Sequence, residues 1–121
     1  MPESDGLRKE AVLGVEQQGD ACVVIKLAGE LDLYNAEQVR EALAEASKDS
    51  PERIVIDLSE VDFIDSTALG VLIEARTRLQ NRRAFFLAAP GLETRRALEI
   101  SGLDRHFTVH ESVSEALLAK V

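Results

Sequence analysis

The sequence predicts an α/β fold: a mixed sheet of four to five strands with about four helices. Three observations lead there. Strand-like runs at 11–18 and 21–28 flank Gly19-Asp20, a hairpin signal. From Asn35 the apolar residues change to helical spacing. Short aliphatic runs then alternate with helical stretches, which implies parallel strands joined by right-handed crossovers after the hairpin.

Each element has its own warrant. Residues 1–9 read as a frayed tail and 10–121 as one domain. In the second strand, Cys22, Val24 and Leu27 belong to a run too apolar to assign to one face. Ala36, Val39, Leu43 and Ala46 make the inner stripe of the first helix, with Asn35 and Gln38 as N-cap and N3 partner, and Ser50-Pro51 ends it. "RIVIDL" (53–58) is β-branched enough for a strand covered on both faces. The next helix spans about 67–81, with Ala68, Leu72, Ala75 and Leu79 inward and Val71 beside them. "AFFLAA" (84–89) is a buried strand broken by Pro90-Gly91, and the third helix runs to Ser101 with Gly102 as its C′ stop. A short edge strand falls at 107–109. Ser112 and Glu115 form a capping box for a last helix carrying Val113, Ala116 and Leu117.

Composition narrows the function. The chain has 121 residues, enough for one buried core, and its 4% aromatic content makes that core aliphatic. With 22 acids against 14 bases the net charge is −8, which argues against nonspecific binding to nucleic acid or anionic membranes and points to protein partners. Cys22 is the only cysteine, so an internal disulfide or a cysteine-based zinc site is excluded; its apolar setting reads as a buried structural thiol. No stretch reaches the ~18 apolar residues of a membrane span. The polar N-terminus lacks secretory features, so a cytoplasmic protein is expected.

Ligand sites in open α/β sheets gather at the carboxyl ends of strands. Two polar loops fall there, "GELDLYNA" (29–36) and "SEVDFIDST" (59–67), bringing Gly29, Glu30, Asp32 and Asn35 near Asp62, Asp65 and Ser66. Helix capping by Asn35 and by Asp65 or Ser66 explains part of this polarity. It leaves Asp32 and Asp62 unexplained. A magnesium-dependent acceptor-aspartate domain would want a lysine on a late strand, and "AFFLAAP" has none. A hydrolase triad is disfavoured because Ser66 lacks a G-x-S-x-G elbow and His106 and His110 have no identified acid partner. The glycines are too scattered for a phosphate loop. Arg76, Arg78, Arg82, Arg83, Arg95 and Arg96 read as a solvated helix face and turn, with docking of an acidic partner as the lesser reading. No catalytic residue, metal or cofactor is expected.

"GELDLYNA", "RIVIDLSEVDFIDSTALGVLIEA" and "LEISGLDRHFTVHESVSEAL", in that order and spacing, resemble a STAS domain of the bacterial anti-sigma factor antagonist type. The resemblance covers nearly all of 11–118, and D-S-T-x-L-G is its most specific part. It implies a STAS fold and a regulator of transcription in the stress response. Such a protein binds an anti-sigma factor that is also a serine kinase, and so releases the sigma factor. It further implies partner switching: the kinase phosphorylates the hydroxyl following the loop aspartate, and a serine phosphatase reverses this. Carried over, the acceptor is Ser66, with Thr67 the runner-up. Asp32, Asp62, Asp65, Ser66, Thr67, Leu69 and Ile73 are expected at the partner surface, and the chain as a monomer or weak dimer. Ala68 stands where the family most often has glycine. It is expected to stiffen the helix start and to narrow the approach of a kinase backbone. The competing role is a STAS subunit of a stressosome-like or membrane transport complex.

Overall fold

The structure, a computed structural model, describes residues 11–19, 21–79 and 81–120. The expected tail at 1–9 and Asp20 of the hairpin lie outside the described residues. One sheet runs in the order β1-β2-β3-β4-β5, with β1 at Val12–Gln18, β2 at Cys22–Leu31, β3 at Arg53–Ile64, β4 at Phe85–Ala88 and β5 at Thr108–His110. β1 pairs antiparallel with β2, and the other neighbouring pairs are parallel. The helices are α1 (Ala36–Ser47), α2 (Ser66–Arg78), α3 (Leu92–Ser101) and α4 (Val113–Leu118).

The five-stranded mixed sheet and four helices match the expected fold class. Gly102 takes the left-handed conformation at φ 78°, the stop expected after α3. The Ser112 hydroxyl accepts the Glu115 N–H at 3.1 Å, as in a capping box. Glu115 reaches back one residue further than the box requires, accepting from the Glu111 N–H at 3.2 Å.

The expected loops at 29–36 and 59–67 are shorter than the sequence implied. β2 continues to Leu31 and β3 to Ile64. The reason is a pair of β-bulges on β3. Lys26 pairs with Asp57 but Ala28 with Glu60, and Gly29 pairs with Val61 but Glu30 with Phe63. Each step inserts one extra residue into β3 and shifts its side-chain alternation. Asp57 steadies the first bulge, its Oδ1 accepting the Ser59 N–H at 3.0 Å. Ile54, Ile56, Leu58, Val61 and Ile64 therefore all join the larger core despite their irregular spacing.

That core lies between one sheet face and α1, α2 and α3. The opposite face carries a smaller cluster of Val24, Val55, Phe86 and Ala88, covered by Ala116 of α4 with Val113 and Leu117. Arg53 fastens this thin layer. Its Nη1 donates to the Ala116 and Leu117 carbonyls at 2.6 and 2.8 Å, and its guanidinium lies 5.1 Å from the Phe86 ring centroid. These carbonyls are end groups that the helix itself cannot satisfy.

Candidate functional site at the carboxyl end of the sheet

Parallel pairing of β2 with β3 sets Leu31 beside Ile64. The Asp65 N–H then donates to the Leu31 carbonyl at 3.0 Å, so the segments leaving both strands are tied together. Asp32, Asp62, Asp65, Ser66 and Thr67 all belong to this end of the fold.

Asp65 is the N-cap of α2. Its backbone is extended (φ −99°, ψ 179°), and its Oδ1 accepts the Ala68 N–H at 3.0 Å. Ser66 and Thr67 are the first two helical residues, and both are exposed. Asp62 is exposed and is the residue left unpaired by the second bulge.

Asp32 organises its own loop. Its Oδ1 accepts the Tyr34 N–H at 2.9 Å, and its N–H donates to Asn35 Oδ1 at 2.9 Å. Asn35 also donates through Nδ2 to the Glu30 carbonyl at 2.8 Å. Asn35 occupies the N-cap position of α1 but makes no side-chain cap bond, contrary to expectation. Its amide is committed to bracing the loop. Gln38, expected as its N3 partner, instead accepts from the Ala11 N–H at 3.3 Å.

Burial corrects the expectations for Leu69, Ala68 and Cys22. Leu69, placed at the partner surface, is only 4% exposed and belongs to the core. Ile73 is half-buried against that core and keeps part of its surface exposed. Ala68 is 1% exposed, so its methyl points inward and does not narrow an outside approach to the helix start. Cys22 is half-buried rather than enclosed. It borders a cavity of about 520 Å³ with Ser47, Ser50, Arg53, Arg78 and Leu79, at the strands' amino ends.

Other candidates fall elsewhere. His110 packs edge-on against Phe86 at 5.2 Å between ring centroids, on β5. His106 is exposed, beyond the short 3-10 turn that follows α3. Arg78 pairs with Glu74 at 2.7 Å, and Glu74 also accepts from Arg40 of α1 at 3.2 Å. The Arg40 guanidinium is held above its ordinary pKa by its hydrogen bonds to Glu74 and then Glu37. Arg95 pairs with Glu111 and Arg96 with Glu93, as solvated faces do. Among the described residues, no three His, Cys, Asp or Glu side chains gather as metal ligands, and no helix is long and apolar enough to cross a membrane.

Sequence reasoning missed the apolar members of this rim. Leu33 is 65% exposed, Tyr34 91% and Phe63 48%. For Leu33 and Tyr34 a signal existed: two large apolar residues sit between Asp32 and Asn35 in a segment too short and polar to bury them. Phe63 gave none, because its outward direction depends on the bulge. The rim is also acidic. Neither 27–39 nor 58–73 contains a lysine or arginine, while Glu30, Asp32, Glu60, Asp62 and Asp65 lie within them.

Comparison with known proteins agrees with this fold. The STAS domain profile matches residues 13–116. The chain is similar to the anti-sigma-F factor antagonist RsfB of Mycobacterium tuberculosis, with 35% identity over 94 residues, covering 78% of this chain and 77% of that protein. Its fold is similar to the crystal structure of an anti-sigma factor antagonist from Mycobacterium paratuberculosis, with TM-score 0.80, 34% identity and coverage of 88% and 89% of the two chains. It is also similar to SpoIIAA, an anti-sigma factor antagonist and Bacillus cell fate determinant. The unphosphorylated form gives TM-score 0.72, with 25% identity and 86% and 91% coverage. The phosphorylated form gives TM-score 0.64, with 25% identity and 86% and 95% coverage.

Proposed function

The chain belongs to the STAS domain family, and from that membership we propose that it is an anti-sigma factor antagonist switched off by phosphorylation of Ser66. In this reading it binds an anti-sigma factor that is also a serine kinase, in the cytoplasm, and so frees a sigma factor. A serine phosphatase restores the binding form. The chain supplies the acceptor hydroxyl, and the kinase brings the ATP.

The observation that supports this most directly is the placement of Ser66. It is the first residue of α2, exposed, and directly follows a capping Asp65 anchored to the Leu31 carbonyl. The hydroxyl is therefore presented from rigid backbone rather than from a long mobile loop. Asp65 occupies the Ala68 N–H, while the Ser66 and Thr67 N–H groups lie in the helical turn that has no internal acceptors. A phosphate there can be met by those N–H groups and by the helix dipole, so the fold survives the modification.

The cost falls on docking. Phosphorylation adds about −1.5 to −2 charges beside Asp32, Asp62 and Asp65. A partner surface shaped for a neutral hydroxyl would have to desolvate that charge. A penalty of about 3–4 kcal/mol weakens binding several hundredfold. Titration calorimetry of the anti-sigma partner with wild type, Ser66→Ala, Ser66→Asp and the phosphorylated protein tests this. Wild type and Ser66→Ala are expected to bind tightly and the other two weakly. Tight binding by the phosphorylated protein overturns the switch, and mapping the phosphate to Thr67 moves it by one residue.

A further inference from the structure

We propose that Leu33, Tyr34 and Phe63 form the apolar anchor of the docking surface, and that it fits an apolar pocket rimmed by basic side chains on the anti-sigma partner. This inference rests on the reading that the partner binds at the Ser66 end of the sheet. It assigns the affinity to residues that neither the acceptor motif nor the acidic loops identify.

Exposure is the first observation. Tyr34 is 91% exposed, Leu33 65% and Phe63 48%, at one rim, while the other exposed large apolar residues, Leu13, Val15, Leu92, Ile100 and Leu118, lie on β1, α3 and α4. Single exposed apolar residues are ordinary, but several at one rim mark an interaction site. The ladder places them at the same end of the sheet. Glu30 pairs with Phe63 and Leu31 with Ile64, and Leu33 and Tyr34 follow directly in the loop tied to Asp65. Leu31 and Ile64 are buried in the core, so by strand alternation Phe63 projects to the other side of the sheet end.

Rigidity is the second. The Tyr34 N–H is held by Asp32 Oδ1, and Asn35 braces Asp32 and Glu30 at 2.9 and 2.8 Å. The Leu33-Tyr34 tip is thus pre-shaped, and docking it loses little conformational freedom. Aromatic side chains on such supports are the usual carriers of interface affinity.

Charge selects the partner. Glu30, Asp32, Glu60 and Asp62 surround the anchor, and segments 27–39 and 58–73 contain no lysine or arginine. A second copy of this chain would bring the same acids to the same rim, which disfavours self-pairing there. A basic-rimmed pocket is complementary, and its encounter rate should fall as salt rises.

The test is calorimetry and stopped-flow binding of the purified anti-sigma partner to wild type, Tyr34→Ala, Leu33→Ala, Phe63→Ala and Leu118→Ala. Leu118 is 84% exposed on α4 and serves as the exposed apolar control. Tyr34→Ala and Phe63→Ala are expected to bind about 30-fold more weakly, equivalent to about 2 kcal/mol. Leu118→Ala is expected to bind as wild type, and all variants to melt as wild type. Wild-type binding with every variant within about threefold overturns the anchor but leaves the proposed function standing. An association rate insensitive to salt overturns the basic rim. A wild-type dimer that Tyr34→Ala converts to monomer assigns the patch to self-association and overturns the inference. Failure of the wild type to bind removes the proposed function and the anchor with it.

Discussion

Arg53 joins the thin side of the sheet to its only helical cover among the described residues, and replacing it should loosen that side selectively. In Arg53→Ala two hydrogen bonds from a charged donor to the Ala116 and Leu117 carbonyls are lost, at 2.6 and 2.8 Å. The contact of the guanidinium with the Phe86 ring goes as well. Hydrogen bonds from a charged donor are worth up to about 1.5–3 kcal/mol each, and the ring contact adds about 0.5–1 kcal/mol. Water recovers part of this because the carbonyls lie at a helix end, so a net loss of about 3 kcal/mol is expected. Urea denaturation should show it as a midpoint lowered by about 1–2 M with little change in slope. Arg53→Lys retains the charge, but its ammonium stops one bond short of the Nη1 position and has no planar face for the Phe86 ring, so it should recover less than half of the loss. Arg53→Met retains the packing stem alone and should fall nearer to alanine. Hydrogen exchange should accelerate most in α4 and β4 and least in α2. A loss below about 0.5 kcal/mol, or uniform acceleration across the fold, would refute the claim that this one side chain holds the layer together.

Two further substitutions probe the rim. Asp65→Ala removes the cap on α2 and should cost about 1 kcal/mol, or roughly 3–6 °C in thermal midpoint. Asp65→Asn keeps an acceptor for the Ala68 N–H and should stay close to wild type in melting, so weaker partner binding by the asparagine variant would report the charge alone. Gly29 is at φ 78° with open space around an added Cβ, so Gly29→Ala should cost about 1–2 kcal/mol through backbone strain and no clash. An unchanged melting temperature would show that the backbone there relaxes freely.

The parts legible in the sequence were those set by local chemistry. Gly102 ends α3 because a left-handed residue is needed there, and Ser112 caps α4 because its hydroxyl reaches the Glu115 N–H. Asp65 and Ser66 could be placed at a strand-to-helix junction for the same local reason. What escaped the sequence depends on tertiary partners. Ser59, Glu60 and Asp62 look like a loop when read alone, yet they lie in β3 because β2 continues beside them. Asn35 looks like a cap, yet Glu30 and Asp32 claim its amide. Leu69 follows the acceptor motif and seemed available to a partner, but packing turns it into the core.

The bulges on β3 also act as a reading frame for everything after them. Between the pairs Lys26–Asp57 and Leu31–Ile64, β2 advances five residues while β3 advances seven. Those two surplus residues set both how far the chain has travelled and which way it faces when α2 begins. Removing Asp62 would erase the second bulge: Phe63 and Ile64 could still pair with Glu30 and Leu31, but along a regular ladder without the kink and added twist that aim the chain toward α2. Ser66 would then keep its neighbours in sequence and its place beside β2 but change its aim. Within this segment, residue count is thus as much a part of the site as residue identity.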